Sequence, residues 1–159
     1  MYRLQAVIAA DHVLRDLAGA FEDARIVLLT GRLSLLPTTD TLFDAITVAR
    51  TMPPLDGFWK APAGFGRAMA ACSAHGPVAY VEAEYFGGTG EQSAMVWDAG
   101  QVVLGHLHLA EKASVPAVGT PISQALRRLG VAKGDHQDEF DAVGLGRHRD
   151  TEDWLPPTS

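Results

Sequence analysis

Glu82, Glu84, Ser93, His106 and His108 fall within one short stretch, and their types and spacing could do chemistry. A serine becomes nucleophilic beside an imidazole that takes its proton, and the imidazole gains from a carboxylate, so Glu84, Ser93 and His106 are the candidate catalytic set. His106 and His108, two apart on one strand, with Glu82, Glu84 or Glu91 nearby, are instead a two-histidine, one-carboxylate set suited to zinc or iron. The structural alternative to both is a group of charge pairs on a partly solvated sheet end.

Which of these groups meet depends on the strands that carry them. Val78 to Phe86, Glu91 to Asp98 and Gln101 to Leu109 are rich in aromatic, β-branched and small residues, separated by Gly87-Gly88-Thr89-Gly90 and Ala99-Gly100. This is the pattern of a β-meander over 78–109. With a four-residue first loop, Phe86 faces Glu91, Glu84 faces Ser93, Glu82 faces Met95 and Tyr80 faces Trp97. With a two-residue second loop, Trp97 faces Val102, Met95 faces Leu104, Ser93 faces His106 and Glu91 faces His108. One face then has an apolar end near Trp97 and a polar end holding Glu84, Ser93, His106 and His108. In that register the serine lies between its two partners, so Glu84 orients His106 only by reaching past it, which weighs against a hydrolase. The glycine-rich loop lacks the lysine of a phosphate loop and is followed by a strand rather than a helix, so it is a hairpin.

The rest of the chain supplies the elements around the meander. Leu4 to Ala9 reads as a buried strand, and Asp11 is placed to cap a helix with Val13, Leu14, Leu17, Ala18 and Phe21 on one side. Arg25 to Leu36 reads as one strand bent at Gly31 or as two short strands, the bend being favoured. Thr39 or Asp40 caps a second helix whose stripe is Leu42, Ala45, Ile46 and Ala49. The Pro- and Gly-rich stretch 51–66, with Phe58 and Trp59, is a surface crossing, and a short helical face of Phe65, Ala68, Met69 and Cys72 follows it. Thr120-Pro121 starts a helix with Ile122, Ala125, Leu126 and Leu129 on its apolar stripe and Gly130 at its end. Residues 150–159 form a C-terminal tail. The expectation is an α+β single domain, 1–159, with a mainly antiparallel sheet and three or four helices packed on one face.

A chain of 159 residues that is 47% hydrophobic can bury a core of its own. Its 13 Lys and Arg stand against 19 Asp and Glu, a formal net charge of −6, and the whole acidic excess lies in residues 80–159. That balance argues against nucleic acid or an anionic membrane and in favour of a basic protein partner. The lone Cys72 excludes an internal disulfide and a cysteine-only metal site, pointing to a reducing cytoplasm. The apolar run Ala6 to Ala10 is too brief for a signal-peptide core or a membrane span, so the expectation is a soluble cytoplasmic protein. No motif implies a cofactor.

Tyr85-Phe86-Gly87-Gly88-Thr89-Gly90-Glu91-Gln92-Ser93-Ala94 follows a Glu-x-Glu strand and precedes Gly130, then Asp138-Glu139-Phe140-Asp141 with Gly144-Leu145. This half of the chain resembles small uncharacterised actinobacterial proteins, some of which resemble the immunity proteins of polymorphic toxin systems. The resemblance implies a small, acidic, cytosolic inhibitor that plugs a toxin's active site. On that reading Tyr85, Phe86 or Trp154 is the aromatic anchor, and Glu91, Asp138, Glu139 and Asp141 supply the acidic docking face. Two other roles stay open: a small enzyme, with or without a metal, at the polar end of the meander, and a self-assembling scaffold. Monomer and homo-oligomer are both compatible with the sequence.

Overall fold

A computed structural model describes residues 1–22, 24–49, 65–87 and 89–155, with the side chains of 45–49 and 65 left aside. The crossing expected over 51–66, with Phe58 and Trp59, lies outside the described residues apart from the start of the helix that follows it.

The centre of the molecule is a six-stranded sheet in the order β2-β3-β1-β4-β5-β6. Its strands are β1 (Tyr2–Ala9), β2 (Val27–Leu28), β3 (Ser34–Pro37), β4 (Val78–Phe86), β5 (Thr89–Asp98) and β6 (Gln101–Leu109). Every neighbouring pair is antiparallel. The α-helices are α1 (Asp11–Ala20), α2 (Asp40–Ala49), α3 (Phe65–Cys72), α4 (Pro121–Arg128) and α5 (Glu139–Val143). The fold is α+β, as expected, and no helix among the described residues is long and apolar enough to cross a membrane.

The helices cover both faces of the sheet rather than one. Along β1, Leu4, Ala6 and Ile8 join a core with Ile122, Ala125 and Leu126 of α4, Val143 of α5, and Leu145 and Trp154. Val7 and Ala9 point the other way, into a core with Val13, Leu14 and Leu17 of α1, Leu42 of α2, and Met69 and Cys72 of α3. The reason is in the strands: β1 and β4 are apolar on both faces, so each face needs its own cover. Burying a leucine or isoleucine there contributes about 1.5–3 kcal/mol.

Local signals account for most element ends. Thr120 caps α4, its hydroxyl accepting from the Ser123 amide at 3.3 Å. Gly130, at φ +96, closes the helix with the Val131 amide donating to the Leu126 carbonyl at 3.0 Å. Thr39 caps α2, accepting from the Leu42 amide at 3.2 Å. Asp11 does not cap α1: it is the first helical residue and pairs with Arg15 at 2.7 Å, one turn on.

Two expected segments differ more. Residues 25–36 form a hairpin, not a bent strand, because Gly31 at φ +87 reverses the chain and lets β2 pair back onto β3. Of the expected C-terminal tail, residues 150–155 pack on the sheet. The Arg3 amide donates to the Arg149 carbonyl at 2.8 Å, and the Gln5 amide donates to the Thr151 hydroxyl at 3.0 Å. This segment therefore lies along the part of β1 that β3 does not reach, and it buries Trp154, 4% exposed, in the α4 core.

Candidate functional site

The polar end of the sheet is built by register. Phe86 pairs with Thr89, so the first connection of the meander is two residues long, not four. Gly90 explains the difference. It belongs to the strand, where a side chain would collide with the Glu84 carbonyl and lie 2.7 Å from the Tyr85 Cα. The register moves by two residues, an even number, so every side chain keeps its expected face while its partner changes. Glu84 stands opposite Glu91, Glu82 opposite Ser93, Tyr80 opposite Met95 and Val78 opposite Trp97.

On the other side of β5, Trp97 pairs with Val102 as expected, but two register shifts follow. They put Val96 opposite Leu104 and Ser93 opposite His108 rather than His106. Two rows therefore cross the sheet: Gln5, Glu82, Ser93 and His108, and beside it Arg3, Glu84 and Glu91.

In the first row Gln5, Glu82 and Ser93 are buried and His108 is exposed, and each has a hydrogen-bond partner. Glu82, 1% exposed, accepts from the Tyr80 hydroxyl at 2.8 Å. Burial, reinforced by the Glu82 charge, holds the Tyr80 hydroxyl well above the ordinary tyrosine range. Gln5 accepts from the Thr151 hydroxyl at 3.0 Å. Ser93 Oγ lies 2.8 Å from His108 Nδ1, and the other nitrogen of that ring lies 3.6 Å from Glu91 Oε2. His106 stacks on His108 with ring centroids 6.3 Å apart.

The catalytic set expected as Glu84, Ser93 and His106 is thus replaced by Glu91, His108 and Ser93. The imidazole now lies between hydroxyl and carboxylate, the order proton transfer needs. Ser93 is only 5% exposed, however, and it sits mid-strand, where its backbone serves the ladder. The candidate metal set Glu82, Glu84, His106 and His108 does not converge, and among the described residues no three His, Cys, Asp or Glu side chains are placed to hold an ion. Glu82 is engaged by Tyr80, and one nitrogen of His108 by Ser93.

The expected docking residues scatter. Phe86, 59% exposed, projects from the β4–β5 tip. Tyr85 is half-buried and accepts from the Gln92 amide at 2.8 Å; burial pushes its hydroxyl up, and that bond partly offsets the rise. Asp138 caps α5, accepting from the Asp141 amide at 2.8 Å, while Asp141 pairs with His136 at 3.1 Å. Glu139 is buried and meets Arg127 at 3.5 Å. Trp154 packs edge-on against His148, 4.7 Å between centroids, beneath the Arg147 guanidinium at 5.2 Å. Glu139 and Trp154 are therefore core-side residues, without the surface that docking needs.

A group the sequence reading missed adjoins the second row. A cavity of about 620 Å³ is lined by the start of α2, by β1 and by the C-terminal segment. Asp40, Asp44, Glu84, Asp150 and Glu152 bring five carboxylates to it, and Arg3, the one basic residue among the described residues of the lining, is held by Asp150 at 2.9 Å. The i, i+4 spacing of Asp40 and Asp44 was readable as one helix face, but their meeting with Glu84 and residues 150–152 depends on the C-terminal segment docking on β1. No protein-family model, curated protein or solved structure matches the chain.

Proposed function

We propose that this chain is an acidic interaction protein that binds a basic protein partner in the cytoplasm. Its most specific form is the immunity-type inhibitor that the hairpin and C-terminal motifs resemble. The observation that carries this reading is the cavity beside the second row, where, among the described residues, five carboxylates face a single arginine that is already paired. Such a surface raises the encounter rate with a lysine- or arginine-rich partner and selects against an acidic one. Phe86, exposed on the tip of the same meander, supplies apolar contact area.

The test is capture of partners from the native cell by wild type and by the Asp44→Asn/Glu84→Gln double variant. A basic protein held by wild type, lost at high salt and bound at least about tenfold more weakly by the variant supports the role. Equal binding by the variant places docking elsewhere on the molecule. Capture of no basic protein removes the reading.

A second reading is a small hydrolase, favoured by the single arrangement of Ser93, His108 and Glu91. A fluorophosphonate probe decides it. Covalent mass on Ser93 that disappears in His108→Ala supports an activated serine, whereas an unlabelled protein leaves the network a structural one.

A further inference from the structure

We infer that β6 is an interface at which two copies of this chain pair edge to edge, antiparallel, about a two-fold axis through Gly105. The strand order leaves β6 outermost, with no strand on its free side among the described residues. A row of backbone N–H and C=O groups therefore faces outward, and that is the template on which another strand forms a ladder. The opposite margin of the sheet, β2, is two residues long and offers no comparable template.

Exposed edges of this length are ordinarily blunted by lysine, glutamate or proline. Gln101–Leu109, QVVLGHLHL, has none of them. The register shifts against β5 fall around Val103 and Gly105–His106 and bend the strand, a device that can turn an edge away, but they add no charge. Val102 and Val103, 46% and 39% exposed, are two of the seven exposed large apolar residues among those described.

The occupant is a second copy because the strand complements itself. With Gly105 on the axis, Val103 comes opposite Leu107, Leu104 opposite His106, Val102 opposite His108 and Gln101 opposite Leu109. Every pair holds at least one apolar side chain and no two acids meet. Gly105 has open space where a Cβ would stand, so the two backbones can approach at the axis. Two molecules of net charge −6 repel over most of their surfaces, and this nine-residue strand without Asp, Glu, Lys or Arg is where that repulsion is weakest. A basic partner gains nothing from it. The contact is isologous, so it closes at a dimer and does not propagate.

Sedimentation velocity over a concentration series reaching the millimolar range tests the pairing. Wild type is expected to pass from a 17.0 kDa monomer to a species of twice that mass. Val103→Lys, at an exposed position, is expected to abolish the dimer while leaving the melting temperature unchanged. Gly105→Cys is expected to form a disulfide-linked dimer on mild oxidation, whereas wild type, whose only cysteine is the buried Cys72, does not. A wild type that stays monomeric, a Val103→Lys protein that dimerises as tightly as wild type, or a Gly105→Cys protein that fails to cross-link overturns the inference. So does a monomer that instead takes an added extended peptide along β6, because the edge then belongs to another chain.

Discussion

Glu84 stands directly opposite Glu91 in the β4–β5 ladder. Like charges in that position oppose pairing. Arg3 is the cross-strand neighbour of Glu84 on the other side, yet its guanidinium is turned to Asp150. The arrangement sacrifices sheet stability for a concentration of negative charge. Glu91→Gln is therefore expected to raise stability by about 0.5 kcal/mol, read as a higher urea midpoint at an unchanged slope. A lower midpoint would mean that the contact of Glu91 with His108 outweighs the repulsion.

Gly90 and Gly87 lie at the same turn but answer to different constraints. A Cβ on Gly90 collides with the backbone of β4, whereas Gly87, at φ +55, has open space around it. Gly90→Ala is expected to cost about 1–3 kcal/mol in overpacking. Gly87→Asn keeps a residue tolerant of left-handed backbone and should stay within about 0.5 kcal/mol of wild type. Denaturant melts of the two variants separate these cases, and equal losses would place Gly90 in the loop after all.

Trp154 anchors the C-terminal segment. Trp154→Ala is expected to lose about 3–5 kcal/mol, the range for emptying a large aromatic site in a core. The indole Nε1 is buried without a hydrogen-bond partner among the described residues. Trp154→Phe removes that stranded donor and should recover most of the loss. A Trp154→Ala protein as stable as wild type would show that residues 150–155 do not pack on the sheet in solution.

The alkaline limb of stability should be set by tyrosines. All three, Tyr2, Tyr80 and Tyr85, have hydroxyls pushed up from 10.0, chiefly by burial. A group whose folded pKa is raised contributes stability that is full below its unfolded pKa and is lost as pH rises toward the folded value. Burial also pushes the Cys72 thiol up from 9.0, so stability should begin to fall at about pH 9 and fall more steeply above about pH 10. Tyrosinate absorbance is expected to appear together with loss of the far-ultraviolet circular dichroism signal, and Tyr80→Phe should flatten the decline. Tyrosinate forming near pH 10 in a fully folded protein would contradict this.

Features written within a few residues were legible. Thr120-Pro121 and Gly130 delimit α4, Ala99-Gly100 makes the second turn, and the alternation of Glu82, Glu84, Ser93 and His108 assigns them to one face in any register that differs by an even number of residues. What the sequence left open depended on contacts distant in the chain. The role of Gly90 is visible only once the carbonyl of Glu84 is beside it, and the choice of His108 over His106 rests on bulges that local pattern does not encode. The acidic cavity needs residues near 3, 40, 84 and 150 together, and no spacing along the chain announces that. The two-sided helix cover could have been anticipated from the apolar residues on both faces of β1.

The hydrogen bond from the Gln5 amide to Thr151 spans 146 residues. During synthesis, β1 has its central partner only when β4 follows, and its margin is completed only when residues 149–151 have emerged. The sheet cannot be finished domain-end first, so assembly waits on translation and belongs among the slow, non-local folding routes. Until then an apolar strand has β3 on one side but lacks β4 on the other, and an open strand edge of that kind is prone to aggregation.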